Sequence, residues 1–129
     1  MMKFFSLFLI IVSLLFVNCA IHTQPIVFTP IIHYADVEGD VIISGFRLLY
    51  GGTVYISYPN VTKSTDVGDE TVSNNRAYYY YSFKNLELDY DTQDITLRFY
   101  AFDEYDNEIL YKTISVTIDE GKNNVDISL

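Results

Sequence analysis

After residue 30, apolar and polar residues alternate with a period of two over most of the chain. That pattern predicts β-strands. The clearest segment runs from Ile95 to Phe102, with Ile95, Leu97, Phe99 and Ala101 on one face and Thr96, Arg98, Tyr100 and Phe102 on the other. Arg76 to Phe83 puts Tyr79, Tyr81 and Phe83 on the core face and Tyr78, Tyr80 and Ser82 outward, and Leu86 and Leu88 follow. Ile109 to Ile118 places Leu110, Ile114, Val116 and Ile118 inward and Tyr111, Thr113, Ser115 and Thr117 outward. Lys112 interrupts the inward row, where its long stem can carry the charge out to water.

Nearer the start, Val41 to Tyr50 predicts a strand, preceded by a weaker one at Ile31–Tyr34. Gly51-Gly52 reads as a two-residue hairpin, since both positions tolerate positive φ. Thr53 to Tyr58 then returns with Val54, Ile56 and Tyr58 on one face. Residues 60–75 are polar and acidic and read as a long loop, with Thr71-Val72 a brief extended piece. The stretches Asp89–Asp94 and Asp103–Glu108 are acidic turns. Gly121 turns the chain into a last strand carrying Val125, Ile127 and Leu129. No segment after residue 30 has the i, i+3, i+4, i+7 spacing of a long amphipathic helix. The expected fold is all-β, a single antiparallel β-sandwich of six or seven strands over residues 31–129.

The first thirty residues follow another pattern. Phe4 to Val17 is apolar except for Ser6 and Ser13, follows Lys3, and stops at Asn18-Cys19-Ala20. Its length suits a signal-peptide core of about 7–15 residues and falls short of the roughly 20 needed to span a bilayer. Cys19 is the one cysteine of the chain, which excludes an intrachain disulfide. The tetrad Phe16-Val17-Asn18-Cys19 resembles the lipobox of bacterial lipoproteins, with Phe16 where that family prefers Leu and Asn18 where it prefers Gly or Ala. The resemblance implies cleavage before Cys19 and a diacylglyceryl group on its sulfur through a thioether, with acyl chains of the palmitate type. The corresponding organisation is a signal peptide (1–18), a lipidated cysteine with an extended tether (19–30) held open by Pro25 and Pro30, and the sandwich (31–129). The competing readings are a secretory signal cut after Cys19 or Ala20, and a retained apolar anchor.

Charge narrows the partners. The chain carries 8 Lys+Arg and 17 Asp+Glu. Without Lys3 the balance from residue 19 onward is 7 against 17, a net of −10. Such a surface repels nucleic acid and anionic headgroups. The expected membrane contact is therefore the lipid on Cys19, and the expected location is the cell envelope, at a bacterial outer membrane or cell surface, with secretion as the alternative.

Candidate chemistry is sparse. The two histidines, His22 and His33, lie in or beside the tether. No triad, Gly-rich phosphate loop or zinc-ligand spacing is present, so no catalytic residue and no cofactor is expected. Asp89, Asp91 and Asp94 are the nearest thing to a calcium loop, but the turn glycine and the distal glutamate of an EF-hand are missing. Twelve tyrosines and nine phenylalanines with no tryptophan leave an aromatic surplus. Tyr55, Tyr78, Tyr80, Tyr100, Phe102 and Tyr111 fall on predicted outer faces. Tyr78, Tyr80, Tyr100 and Phe102 are the candidate contacts for an envelope protein or a glycan, because tyrosine offers large apolar area and a polar tip.

Two stretches carry a further resemblance. Val116 to Leu129 looks like the last two strands of transthyretin-like or carboxypeptidase-regulatory-like domains, and Tyr81-Ser82-Phe83-Lys84-Asn85-Leu86 looks like their middle strand. Ser73-Asn74-Asn75 stands where those families carry an Asp-x-x-Gly turn. An immunoglobulin-like sandwich is similar too. These resemblances imply a structural or binding module.

Overall fold

The chain divides into two units, Met1–Pro30 and Ile31–Leu129. The computed structural model describes residues 30–129. Cys19, the tetrad before it and most of the tether lie outside the described residues.

The second unit is a β-sandwich of two sheets. Its strands are β1 (His33–Ser44), β2 (Gly52–Tyr58), β3 (Val61–Asp66), β4 (Glu70–Ser73), β5 (Arg76–Leu88), β6 (Thr92–Phe102), β7 (Glu108–Asp119), β8 (Gly121–Asn124) and β9 (Ile127–Ser128). The first sheet runs β4-β5-β1-β8, with β9 continuing beside β1, and the second runs β3-β2-β6-β7. All pairs are antiparallel except β1 with β8 and β9, which are parallel.

The core forms where the inward rows meet. Val37, Val41 and Ile43 of β1, Tyr79, Tyr81 and Phe83 of β5, Val54 and Ile56 of β2, and Ile95, Leu97 and Phe99 of β6 are all buried. The inward rows expected for β2, β5 and β6 are thus the observed ones, although Tyr58 is only half-buried. Its hydroxyl donates to the Glu87 carbonyl at 3.0 Å, tying the second sheet to the first.

Several expectations need correction. Nine strands are present among the described residues where six or seven were expected. β1 is one continuous strand ending at Ser44, and residues 46–50 leave the sheet. Asp36, Glu38 and Asp40 fill its outward positions, so an acidic row masked a regular alternation. Gly51-Gly52 is not a hairpin, because β1 and β2 lie in different sheets. Gly51 adopts φ +81° at the end of the crossover. Gly52 starts β2, where a Cβ would lie 2.6 Å from the Phe99 ring. The hairpin signal sits instead at Asn74 and Asn75, both left-handed (φ 50° and 61°), which join β4 to β5 in a two-residue turn. Residues 60–75 are not one loop, since β3 and β4 lie within them. These are exposed edge strands, whose side chains need no apolar row.

Two bulges reset the facing. In β5, Lys84 and Asn85 together oppose Asp36, with Asn85 at φ 54° and its N–H donating to Asp36 Oδ1 at 2.9 Å. The phase shift is what brings Leu86 and Leu88 back into the core. In β7, Tyr111 is the extra residue between Lys112, opposite Phe99, and Leu110, opposite Tyr100. Leu110, expected inward, is therefore half-exposed on the outer side. Tyr111, expected outward, turns toward Phe99, ring centroids 6.4 Å apart.

The last strand is broken at Val125-Asp126, yet its register on β1 stays constant: Glu38 pairs with Asn124, and Val41 with Ile127. Side chains fill the gap. The Tyr81 hydroxyl donates to the Val125 carbonyl, and Asp126 Oδ1 accepts the Asp40 N–H at 2.9 Å. Gly39 lies beneath, where a Cβ would stand 2.0 Å from the Val125 oxygen. Gly39→Ala is expected to destabilise the domain by about 3 kcal/mol, because the clash is with backbone. Tyr81→Phe should cost roughly 1–2 kcal/mol, by leaving a carbonyl unpaired. Urea denaturation of both variants checks this, and a Gly39→Ala midpoint equal to wild type would contradict the assignment.

Candidate functional site

The four aromatic residues singled out in the sequence do not form one patch. Tyr78 and Tyr80 stand on the outer face of the first sheet, and Tyr100 and Phe102 on that of the second. Tyr80 is half-exposed, and its hydroxyl donates to Glu38 Oε2 at 2.7 Å, where Lys84 Nζ also donates at 3.1 Å. The Tyr80 and Lys84 hydrogen bonds hold the Glu38 carboxyl below its ordinary value. Tyr78 pairs laterally with Ile42 and is half-buried. These two residues serve the β1–β5 pairing.

Tyr100 instead belongs to a groove on the outer face of the second sheet, about 370 Å³ in volume and lined by Tyr55, Ser57, Thr62, Arg98, Tyr100 and Glu108. The Tyr55 and Tyr100 rings meet edge to face, centroids 5.3 Å apart. The Tyr55 hydroxyl donates to Glu108 Oε1 at 2.7 Å, and that bond pushes the phenol up from its ordinary value. Arg98 Nη1 donates to Ser57 Oγ at 3.3 Å.

Phe102 lies near a third surface that sequence reasoning missed. Residues 45–51 cross from the first sheet to the second at the end of the sandwich where β1 stops. Leu48 plugs into the core edge, its N–H donating to the Tyr79 hydroxyl at 3.0 Å, and the Phe102 N–H donates to the Gly51 carbonyl at 3.1 Å. With its base fixed, the crossover holds Leu49 outward at 81% exposure and leaves Phe46 and Tyr50 about half-exposed. The β6–β7 turn adds Tyr105 at 76%, and the start of β7 adds Tyr111, whose ring centroid is 5.7 Å from that of Phe46. The apolar run from Phe46 to Tyr50 is what signalled this surface, but it reads equally well as a buried strand, and nothing local distinguishes the two.

Asp89, Asp91 and Asp94 do not converge. Asp94 accepts a hydrogen bond from Thr117 Oγ1 on the neighbouring strand, and the Asp91 carbonyl accepts the Glu120 N–H. Among the described residues, no group of three or more His, Cys, Asp or Glu side chains is arranged to hold a metal ion. The second acidic turn has an internal role. Asp103 Oδ1 accepts the N–H groups of Tyr105 and Asn107 at 2.8 and 2.9 Å, which shapes the turn that carries Tyr105.

Comparison of the chain with family models, with curated proteins and with solved structures gives no match.

The Asn107 N–H is the main cause holding the Asp103 carboxyl below its ordinary 3.8, with the Asn107 side chain and the Tyr105 N–H adding to it. A folded-state value below the unfolded one means the turn's stabilisation is fully present above the ordinary value and is lost as pH falls through the lowered one. Carbon-detected NMR titration should find Asp103 titrating below 3.8, and Asp103→Ala should lower the thermal midpoint and broaden the Tyr105 resonances. Titration at or above 3.8 would contradict the turn's geometry.

Proposed function

We propose that the protein is a lipid-anchored cell-envelope protein. Its sandwich, of transthyretin-like, carboxypeptidase-regulatory-like or immunoglobulin-like type, is a non-catalytic contact module. The contact role rests on one observation: the apolar end lined by Phe46, Leu49, Tyr50, Phe102 and Tyr111, with Tyr105 on the adjoining turn. Contiguous exposed apolar surface with a polar rim is typical of protein contact sites. The crossover beneath it is pinned by Leu48, so binding would order little further chain and would lose little entropy. Asp103, Glu104, Asp106 and Glu108 follow one another along the adjoining turn and the start of β7, and Arg47 is neutralised by Glu70 at 3.3 Å. The partner this surface suits is an envelope protein with an apolar centre and a basic rim.

The anchor half of the reading rests on Cys19. Its thiolate is the nucleophile that accepts a diacylglyceryl group through a thioether. Each buried methylene contributes roughly 0.8 kcal/mol, and two or more chains hold a protein stably. No helix among the described residues is long and apolar enough to cross a membrane. β1 starts next to the tether in sequence and ends at the apolar surface. At about 3.3 Å per residue its 12 residues span ~36 Å.

In detergent-phase separation, the wild-type protein should enter the detergent phase and Cys19→Ala the aqueous phase. Aqueous partitioning of both would overturn lipidation and favour a secreted, non-lipidated accessory domain. For the contact surface, the double variant Leu49→Ser/Tyr50→Ser should keep stability within about 0.5 kcal/mol of wild type. It should also lose in-cell crosslinks from the 45–51 crossover to its envelope partner. Unchanged crosslinking with unchanged stability would remove the apolar end as the contact site.

A further inference from the structure

The groove on the outer face of the second sheet carries a charge arrangement that the fold does not need. By register, Arg98 is the single cation on that face among the described residues, since Lys63 and Lys112 fall in the inward phase opposite Ile56 and Phe99. The chain has a net charge of −9, and carboxylates are plentiful. Arg98 has no ion pair among the described residues, as is also true of Lys63, Arg76, Lys112 and Lys122, but of these it is the one that shares a groove with a carboxylate. Glu108 lines the same groove and does not close on it. Each charge is held by a neutral partner instead, Arg98 by Ser57 and Glu108 by the Tyr55 hydroxyl. Two opposite charges kept apart across one groove form a preorganised pair of binding ends.

The lining defines what would fit between them. Arg98 only donates, in a planar fork that matches a carboxylate bidentately. An ionised Glu108 only accepts, so its ligand group must bring O–H or N–H donors. Ser57 and Thr62 donate and accept, which suits hydroxyl groups of either polarity. The Tyr55–Tyr100 pair offers an apolar wall at which a saturated ring can lay its C–H face. The volume, about 370 Å³, lies in the range of roughly 300–1,000 Å³ usual for small-ligand sites. We propose that this groove binds an acidic sugar residue, a hexuronate, with its carboxylate on Arg98, its ring against Tyr55 and Tyr100, and its hydroxyls on Glu108, Ser57 and Thr62. A free amino acid would satisfy both charges but would offer nothing to the Thr62 hydroxyl or to the hydroxyl hydrogen of Ser57, so the lining favours the sugar.

The site does not depend on the anchor, and Cys19→Ala should bind the sugar as the wild type does. The test is NMR titration of the full-length chain with methyl β-D-glucuronide, methyl β-D-glucoside and phenylalanine. The glucuronide should saturate shifts of the Arg98 guanidinium and the Tyr55 and Tyr100 rings, and bind at least tenfold more tightly than the glucoside. Arg98→Gln should abolish those shifts, and Arg98→Lys, which keeps the charge without the fork, should weaken binding several-fold. A shared thermal midpoint in both variants would separate this loss from unfolding. Equal binding of glucuronide and glucoside, tighter binding of phenylalanine, or undiminished binding by Arg98→Gln would each overturn the proposal.

Discussion

The close approach of Val125 to Gly39 is the contact on which the sandwich depends. β1 is paired with β5, antiparallel, on one side and with the short β8 and β9, parallel, on the other. At Gly39 the parallel ladder is interrupted and the register is kept. The Tyr81 hydroxyl takes the Val125 carbonyl, and Asp126 takes the Asp40 N–H. Tyr81 pairs directly with Gly39 across β5, so one aromatic residue covers the glycine and secures the strand on its far side. With a single cysteine, the chain has no internal covalent staple to substitute for this closure. The geometry carries an electrostatic cost. Burial, together with the neighbouring Asp126, pushes the Asp40 carboxyl above its ordinary value, so that this term weighs against folding above the raised value and is relieved as pH falls toward 3.8.

Once β1 is closed on both sides, the useful surfaces are what the two sheets leave over. The end where β1 stops must be crossed by residues 45–51, because β2 belongs to the other sheet. Leu48 turns inward to seal that end, and its neighbours are left facing solvent. The outer face of the second sheet carries a groove lined with hydroxyls, and its Arg98 and Tyr55 and Tyr100 sit on paired strands. A rigid sheet presents such groups with little entropy to lose on binding.

Much of this was legible along the chain. Tyr79, Tyr81, Phe83, Ile95, Leu97 and Phe99 announce their faces by alternation alone, because strands with one buried face enforce a period of two. What escaped has a physical reason in each case. β3 and β4 are exposed edges and need no apolar row. The acidic outward row of β1 disguised a strand. The bulges at Asn85 and Tyr111 reverse the facing through pairing with Asp36 and with β6, which sequence does not display. That Tyr78 and Tyr80 lie on one sheet and Tyr100 and Phe102 on the other follows from strand order, which the sequence does not display. The Arg98 groove escaped for the same reason: Tyr55, Arg98 and Glu108 are far apart in sequence and meet only through the β2–β6–β7 order.

We propose that a lipid on Cys19 carries the sandwich into the envelope. Intact mass spectrometry of the protein extracted from its native membranes tests it most directly. The account predicts a chain beginning at Cys19, heavier than the bare polypeptide by a thioether-linked diacylglyceryl group and any amide-linked acyl chain. An unmodified chain beginning beyond Cys19, or one that retains Met1, would contradict it.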